Sequence, residues 1–169
     1  VPTVDMARII DGFDITRFGR ATAKFDPAEL AQVNAKVVQE LTFAAVAERL
    51  DAVAVGGGEP FWMAVRDNLS GVAEAGDWWQ ICTQPITPVI DSANVTTAAA
   101  DLLPDGDLEA SIWQNWTKAV GAVSGAKGKG LFMPLRLALT GREKGPEIAP
   151  LLAFMGRERV LARLRGETA

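Results

Sequence analysis

The sequence predicts an all-α fold, on three observations. Apolar side chains recur every three or four residues along most of the 169-residue chain, the period of a helix with one buried face. Proline or an N-capping side chain opens several of these runs and glycine closes others, which is the asymmetry that helix ends require. No alternating run is long enough to demand a sheet, and no internal repeat is present.

The elements follow in chain order. Asp26-Pro27-Ala28-Glu29 places an N-cap acceptor, a proline at the first helical position and a glutamate at the third. Leu30, Val33, Val37, Val38 and Leu41 continue it as an apolar face. Thr42 is the expected cap of a second helix, with Phe43, Val46 and Leu50 inward. Gly56-Gly57-Gly58 breaks the chain before a third helix over 59–69, whose Phe61, Val65 and Leu69 share one side. A short fourth helix is expected within 71–82.

Gln84-Pro85-Ile86-Thr87-Pro88 reads as a turn. It divides the chain into two packed helical subdomains, 1–85 and 86–169. In the second, helices are expected over 92–103 and 108–123, the latter burying Leu108, Ile112, Trp116 and Val123. Residues 125–130 form a flexible basic loop. Pro134 opens a helix that Thr140-Gly141 ends, and Pro146 opens the next. Gly156 separates that one from a last helix with Val160, Leu161 and Leu164 inward.

Composition excludes much chemistry. The apolar fraction of 49% and charged fraction of 22% are those of a soluble globular protein. No stretch approaches the roughly 20 apolar residues of a membrane span, and no leader pattern opens the chain, so a cytoplasmic protein with no membrane partner is expected. Cys82 is the single cysteine, which excludes an internal disulfide and fits a reducing compartment. Histidine is absent, so there is no imidazole base, metal ligand or partner for a nucleophile. No catalytic set, metal site or cofactor is expected in the chain itself.

Charge is unevenly spread. Residues 118–165 hold ten Lys/Arg against three Glu, a local net of +7, whereas residues 1–117 carry a net of −10. A mildly acidic chain thus ends in a basic segment, which points to an anionic partner.

Several constellations carry two readings each. Gly125-Ala126-Lys127-Gly128-Lys129-Gly130 lacks the spacing and preceding strand of a nucleotide-binding loop; it is either a basic loop touching RNA phosphate or a solvated linker. Trp78-Trp79 and the pair Trp113 and Trp116 are stacking platforms for bases or core fillers, and one of Trp78 and Trp79 is expected to be exposed. Asp101, Asp105 and Asp107 fit a turn between helices better than a cation loop. Gly156-Arg157-Glu158-Arg159 resembles the turn of a helix-turn-helix, in which Arg157, Arg159 and Arg163 meet phosphates or form a solvated face. Arg136 emerges between Leu135, Leu137 and Leu139, so its guanidinium is salt-bridged or aimed at a base or phosphate.

The run Leu131-Phe132-Met133-Pro134-Leu135-Arg136-Leu137-Ala138-Leu139-Thr140-Gly141, then Gly145-Pro146, then Met155-Gly156-Arg157-Glu158-Arg159-Val160-Leu161, resembles the C-terminal signature of bacterial glutamyl-tRNA synthetases. Phe25-Asp26 with Val33-Asn34-Ala35-Lys36, and Phe13-Asp14-Ile15-Thr16-Arg17, are similar to further stretches of that family. The resemblance covers nearly the whole chain. It implies an all-helical anticodon-binding region made of two helical subdomains. The catalytic half, which joins glutamate to tRNA with ATP and magnesium, would lie elsewhere in a longer protein. By motif, Arg136, Gly145, Pro146 and Ile148 match positions that approach anticodon bases. Gly145 stands where a hydroxyl residue can occur in the family, so any side-chain hydrogen bond there is lost. Arg66 is the nearest candidate for the arginine that reads a base from the first subdomain. Lys127, Lys129, Arg142 and Arg157 are expected to meet RNA phosphate.

The implied partners are tRNA-Glu, with tRNA-Gln also open, and the catalytic half, but not DNA. The competing readings are a stand-alone helix-turn-helix nucleic-acid binder and a helical protein-interaction module.

Overall fold

The structure, a computed structural model, describes residues 5–19 and 26–169; Phe25 lies outside them. Among the described residues there are ten α-helices, linked by loops and short 3-10 turns, and no strand. The fold is all-α.

In the first half, helix α1 spans Met6–Asp11, with the Asp5 carboxylate accepting from the Ala7 and Arg8 amides. Asp14 caps a 3-10 turn, Ile15–Arg17, by accepting from both the amide and hydroxyl of Thr16. That explains why Phe13-Asp14-Ile15-Thr16-Arg17 is a local unit. Helix α2, Pro27–Glu40, begins as expected, with Asp26 accepting from the Ala28 amide at 2.8 Å. Its apolar face is only partly used: Val38 is buried, but Leu30 and Val33 are 53% and 39% exposed. Only the C-terminal part of α2 docks, against the 3-10 turn Arg66–Asn68. The Asn34 amide donates to the Ser70 carbonyl, and Gln39 Nε2 donates to the Asp67 carbonyl at 2.9 Å.

Helix α3, Phe43–Asp51, buries Val46 and Leu50. Thr42 precedes it without a side-chain cap. The triple glycine then breaks the chain before α4, Gly58–Val65, and the expected third helix finishes as the 3-10 turn at 66–68 with Leu69 buried. Helix α5, Ala75–Thr83, carries both Trp78 and Trp79. Neither tryptophan is exposed, contrary to the expectation for one of them. Trp78 is buried, and Trp79 packs edge-on against Phe61 at 5.0 Å and Phe154 at 6.1 Å. Adjacent helical residues do diverge by about 100°, but here a neighbouring element covers each direction.

In the second half, α6 spans Ala93–Asp101 and α7 spans Trp113–Ser124, the latter entered through a 3-10 turn, Ala110–Ile112. Leu108 and Trp116 are buried as expected, but Val123 is 69% exposed and Val120 takes the inward place. Trp116 donates from Nε1 to the Ala99 carbonyl at 3.1 Å, tying α7 to α6. Asp105 and Gly106 occupy the turn between them, and Asp105 receives Arg157. Helix α8 spans Lys129–Thr140, so it starts earlier than Pro134 suggested. Pro134 sits inside it, where the missing amide and the ring would face the carbonyl four residues back, that of Gly130. Helix α9 is Ile148–Met155, with Pro146 two residues ahead of it, and α10 is Arg157–Leu164.

One core runs continuously from Val38 to Leu164 across the 84–88 turn. Helix α9 carries it over, packing on α4 and α5, while α10 packs on α6, α8 and α9. Phe154 of α9 meets Phe61 of α4 edge-on at 5.2 Å.

Two arginines of α10 lock this arrangement, which is neither of the two readings the sequence left open for them, phosphate contact or a solvated face. Arg163 is wholly buried and donates to the carbonyls of Leu139 at 2.7 Å, Gln84 at 2.9 Å and Ala169 at 2.8 Å. Arg159 donates to the carbonyls of Cys82, Thr83 and Met155. Most of these oxygens lie at or just beyond the ends of α5, α8 and α9, where helical carbonyls have no partner of their own and a cation is favoured. Arg157 is committed too, through Nε to the Pro104 carbonyl and Nη2 to Asp105. The helix-turn-helix reading thereby loses the side chains it relied on.

Burial and the nearby Arg159 lower the Arg163 pKa to about 10, so its donors are all present at neutral pH. Burial raises the Cys82 thiol to about 12, against opposing pulls from Arg163 and Arg159. Replacing Arg163 with Met strands three carbonyls and is expected to cost about 3 kcal/mol or more. Arg163→Lys should lose nearly as much, because a point ammonium cannot span three acceptors. Urea midpoints with an unchanged slope would measure both losses.

Because the folded state holds the Cys82 proton more tightly than the unfolded chain, this contribution to stability is complete below pH 9 and declines above it. Arg163 acts in the opposite direction, mainly above about pH 10 but beginning within the unit below it. Between pH 9 and 10 the Cys82 contribution should therefore fall by up to about 1.4 kcal/mol per pH unit. Comparing urea midpoints for wild type and Cys82→Ala over that window would isolate it.

Candidate nucleic-acid interface

The C-terminal end of α8 turns sharply into the segment 141–147, and the local sequence dictates how. Thr140, 3% exposed, accepts the Arg142 amide at its hydroxyl and donates to the Arg136 carbonyl at 2.7 Å. Gly141 follows with φ 66°, a left-handed C-cap that bonds the Leu137 carbonyl at 2.8 Å. The far end of the segment is held by Arg136, whose Nη2 donates to the Pro146 carbonyl at 2.8 Å. Its Nη1 is buried without a hydrogen-bond partner, and burial lowers the pKa of the guanidinium.

The middle of the segment lies on Trp78. A Cβ at position 145 would fall inside the contact radius of Trp78 Cη2 and Cζ2, and φ at Gly145 is 144°. Both facts require glycine there. The loss of a hydroxyl side chain at 145 thus has a steric cause. Arg142 closes over the same indole, its Cζ 5.1 Å from the ring centroid, within cation–π range.

The structure brings Arg136, Arg142, Gly145 and Pro146 together at one end of α8. Arg142 is exposed, Gly145 is half-buried, and Pro146 is buried. Ile148 is buried at 5% exposure, so it offers a ligand backbone rather than side chain. Lys127 and Lys129 are exposed at the other end of α8, with Lys129 about 10 Å from Arg136 along the axis. Arg157 stands apart, spent on the 104–105 turn. Arg66 belongs to the first half, where its Nη1 lies 3.4 Å from the Leu41 carbonyl, beside the Trp62 indole on the same oxygen. Its Nε is 3.4 Å from the Asp67 carboxylate but makes no hydrogen bond.

Sequence reasoning missed two residues of this face. Trp78 was read only as core or stacking platform, and nothing local signals that it supports a loop some 65 residues on. Phe132 is 45% exposed and lies four residues before Arg136 on α8, so the two share a side of the helix. Its ring leans on Trp113 at 6.3 Å. That spacing within an otherwise buried apolar helix was the available signal.

The anticodon binding domain family matches residues 91–167. Glutamate–tRNA ligase 2 of Methylorubrum populi is 48% identical over 99% of this chain. Glutamate–tRNA ligase 2 of Xanthobacter autotrophicus is 50% identical over 92% of it. The chain spans 38% and 34% of the lengths of those two relatives. The crystal structure of a glutamate tRNA ligase from Elizabethkingia meningosepticum superposes with a TM-score of 0.76 at 20% identity, covering 96% of this chain and 36% of that one; that likeness is one of fold. The chain belongs to the bacterial glutamate–tRNA ligase family and corresponds to its C-terminal anticodon-binding region.

Proposed function

We propose that this chain reads the anticodon of tRNA-Glu for a longer glutamate–tRNA ligase that acts in the cytoplasm. Arg136 carries the reading. Its guanidinium plane is fixed by the Pro146 carbonyl while the buried Nη1 has no partner; a docking base must displace the cover over Nη1 to reach it, and the hydrogen bond gained there offsets that displacement. A splayed base beside the 141–147 segment supplies one, as single-stranded loops do in RNA recognition. Backbone groups around Gly145, Pro146 and Ile148 add contacts, and Phe132 offers a ring on which a base can stack. Arg66 is a second reader in the first half. Lys127, Lys129 and Arg142, all exposed, neutralise phosphate and supply salt-sensitive affinity.

The rest of the ligase would contain the ATP and magnesium sites. The described residues contain no group of three or more His, Cys, Asp or Glu able to hold a metal, and no helix among them is long and apolar enough to cross a membrane. Contact with the catalytic half suits the exposed Met6, Ile10, Phe13 and Phe18, together with Leu30.

A fluorescence titration with tRNA-Glu transcript and an anticodon-swapped version, at two salt concentrations, tests the reading. Arg136→Ala is expected to remove about 1–3 kcal/mol of preference for the native anticodon. Lys127→Ala and Lys129→Ala should weaken both RNAs alike, each reducing the salt slope by about 0.7. Equal losses on both RNAs for Arg136→Ala would reduce its role to phosphate contact.

A further inference from the structure

We propose that Trp78 is a positioning residue for anticodon recognition: it sets the height and tilt of the 141–147 segment, and residues 78 and 145 form a size-coupled pair. The inference rests on the anticodon reading above and deepens it.

Three observations carry it. The segment is tethered at both ends within the second half, by Thr140 at its start and by Arg136 on the Pro146 carbonyl. Its centre, however, rests on a side chain from α5 of the first half, because Gly145 lies flush on the benzo edge of Trp78 with no room for a Cβ. Arg142 then folds over that same ring at 5.1 Å, so one indole places both the glycine and the cation.

The physical consequence is indexing between the two halves. Trp78 is 6% exposed and its helix is held at its C-terminal carbonyls by Arg159, so the platform cannot shift on its own. The Pro146 carbonyl that orients Arg136 is the next residue after Gly145 in the chain, and any lift of Gly145 from the ring moves it. A change at 78 therefore reaches the base-reading arginine through the loop, without touching RNA. Arg142 is aimed by the ring rather than left to wander as an exposed arginine would. The tryptophan is thus more than core filling: a core filler would affect stability, whereas this one governs how well one anticodon is told from another.

The test uses the full chain and two RNAs, tRNA-Glu transcript and the same transcript with its anticodon replaced. The readout is the ratio of their affinities, with thermal unfolding followed alongside. Trp78→Phe, which keeps an aromatic ring but shortens the platform, is expected to retain a cooperative transition and to lower the ratio about fivefold, the lower end for a lost base contact. Gly145→Ala, in the half-buried loop rather than the core, should lower it at least as much and serves as the second variant if Trp78→Phe proves unstable.

Combined in one chain, the two changes should cost less than the product of their separate losses, since the smaller ring makes room for the added methyl. Arg136→Ala is the control for the underlying reading. If Arg136→Ala collapses the ratio while Trp78→Phe and Gly145→Ala both leave it at the wild-type value, the positioning role is wrong and the anticodon reading stands. Losses at 78 and 145 that multiply independently also overturn the coupling. If Arg136→Ala leaves the ratio unchanged, the anticodon reading fails and the inference goes with it.

Discussion

A wholly buried guanidinium matched to main-chain oxygens from three parts of the chain is the constraint from which the rest of this structure follows. Arg163 occupies the point where the end of α5, the end of α8 and the C-terminal tail converge, and it satisfies one carbonyl from each. Burying a cation is costly unless its donors are all matched, and a planar fork of five donors is the side chain that can match three oxygens in different directions. Arg159 repeats the device one turn earlier on the carbonyls of Cys82 and Thr83. Helix ends that would otherwise present unpaired carbonyls in the interior are joined instead. The two halves of the chain meet through these bonds as well as through apolar packing.

The position of the candidate interface depends on that junction. With α5 and α8 fixed at their C-terminal ends, Trp78 is presented to the segment that leaves α8, and Arg136 faces the carbonyl at which that segment finishes. The candidate surface is therefore assembled from both halves, although most of its polar groups come from the second. A rigid scaffold below an exposed loop is what lets a few side chains discriminate bases, because hydrogen bonds specify only when their donors are held in place.

The basic end of the chain divides into two populations that composition cannot tell apart. Arg159 and Arg163 turn inward onto backbone carbonyls, and the part-exposed Arg157 pairs with the Pro104 carbonyl and the exposed Asp105. Lys127, Lys129 and Arg142 remain at the surface. Both groups contribute equally to the local net charge, but Arg159 and Arg163 spend theirs inside the fold. The same ambiguity affects apolar residues: Val123 is expected on the apolar face of α7 but is 69% exposed, while Val120, three residues earlier, is at 0%.

The helical class, most helix starts and stops, and the motif around Arg136 are legible in the amino-acid order alone. These depend on short-range physics: period, N-caps such as Asp26, and the left-handed glycine at 141 are all legible within a few residues. Only the tertiary structure decided which arginines are structural, that Pro134 lies within a helix, and that Gly145 is glycine because Trp78 is there. Each of those outcomes depends on atoms tens of residues apart in the chain, and hydrogen bonding and steric exclusion act through space with no trace in local pattern.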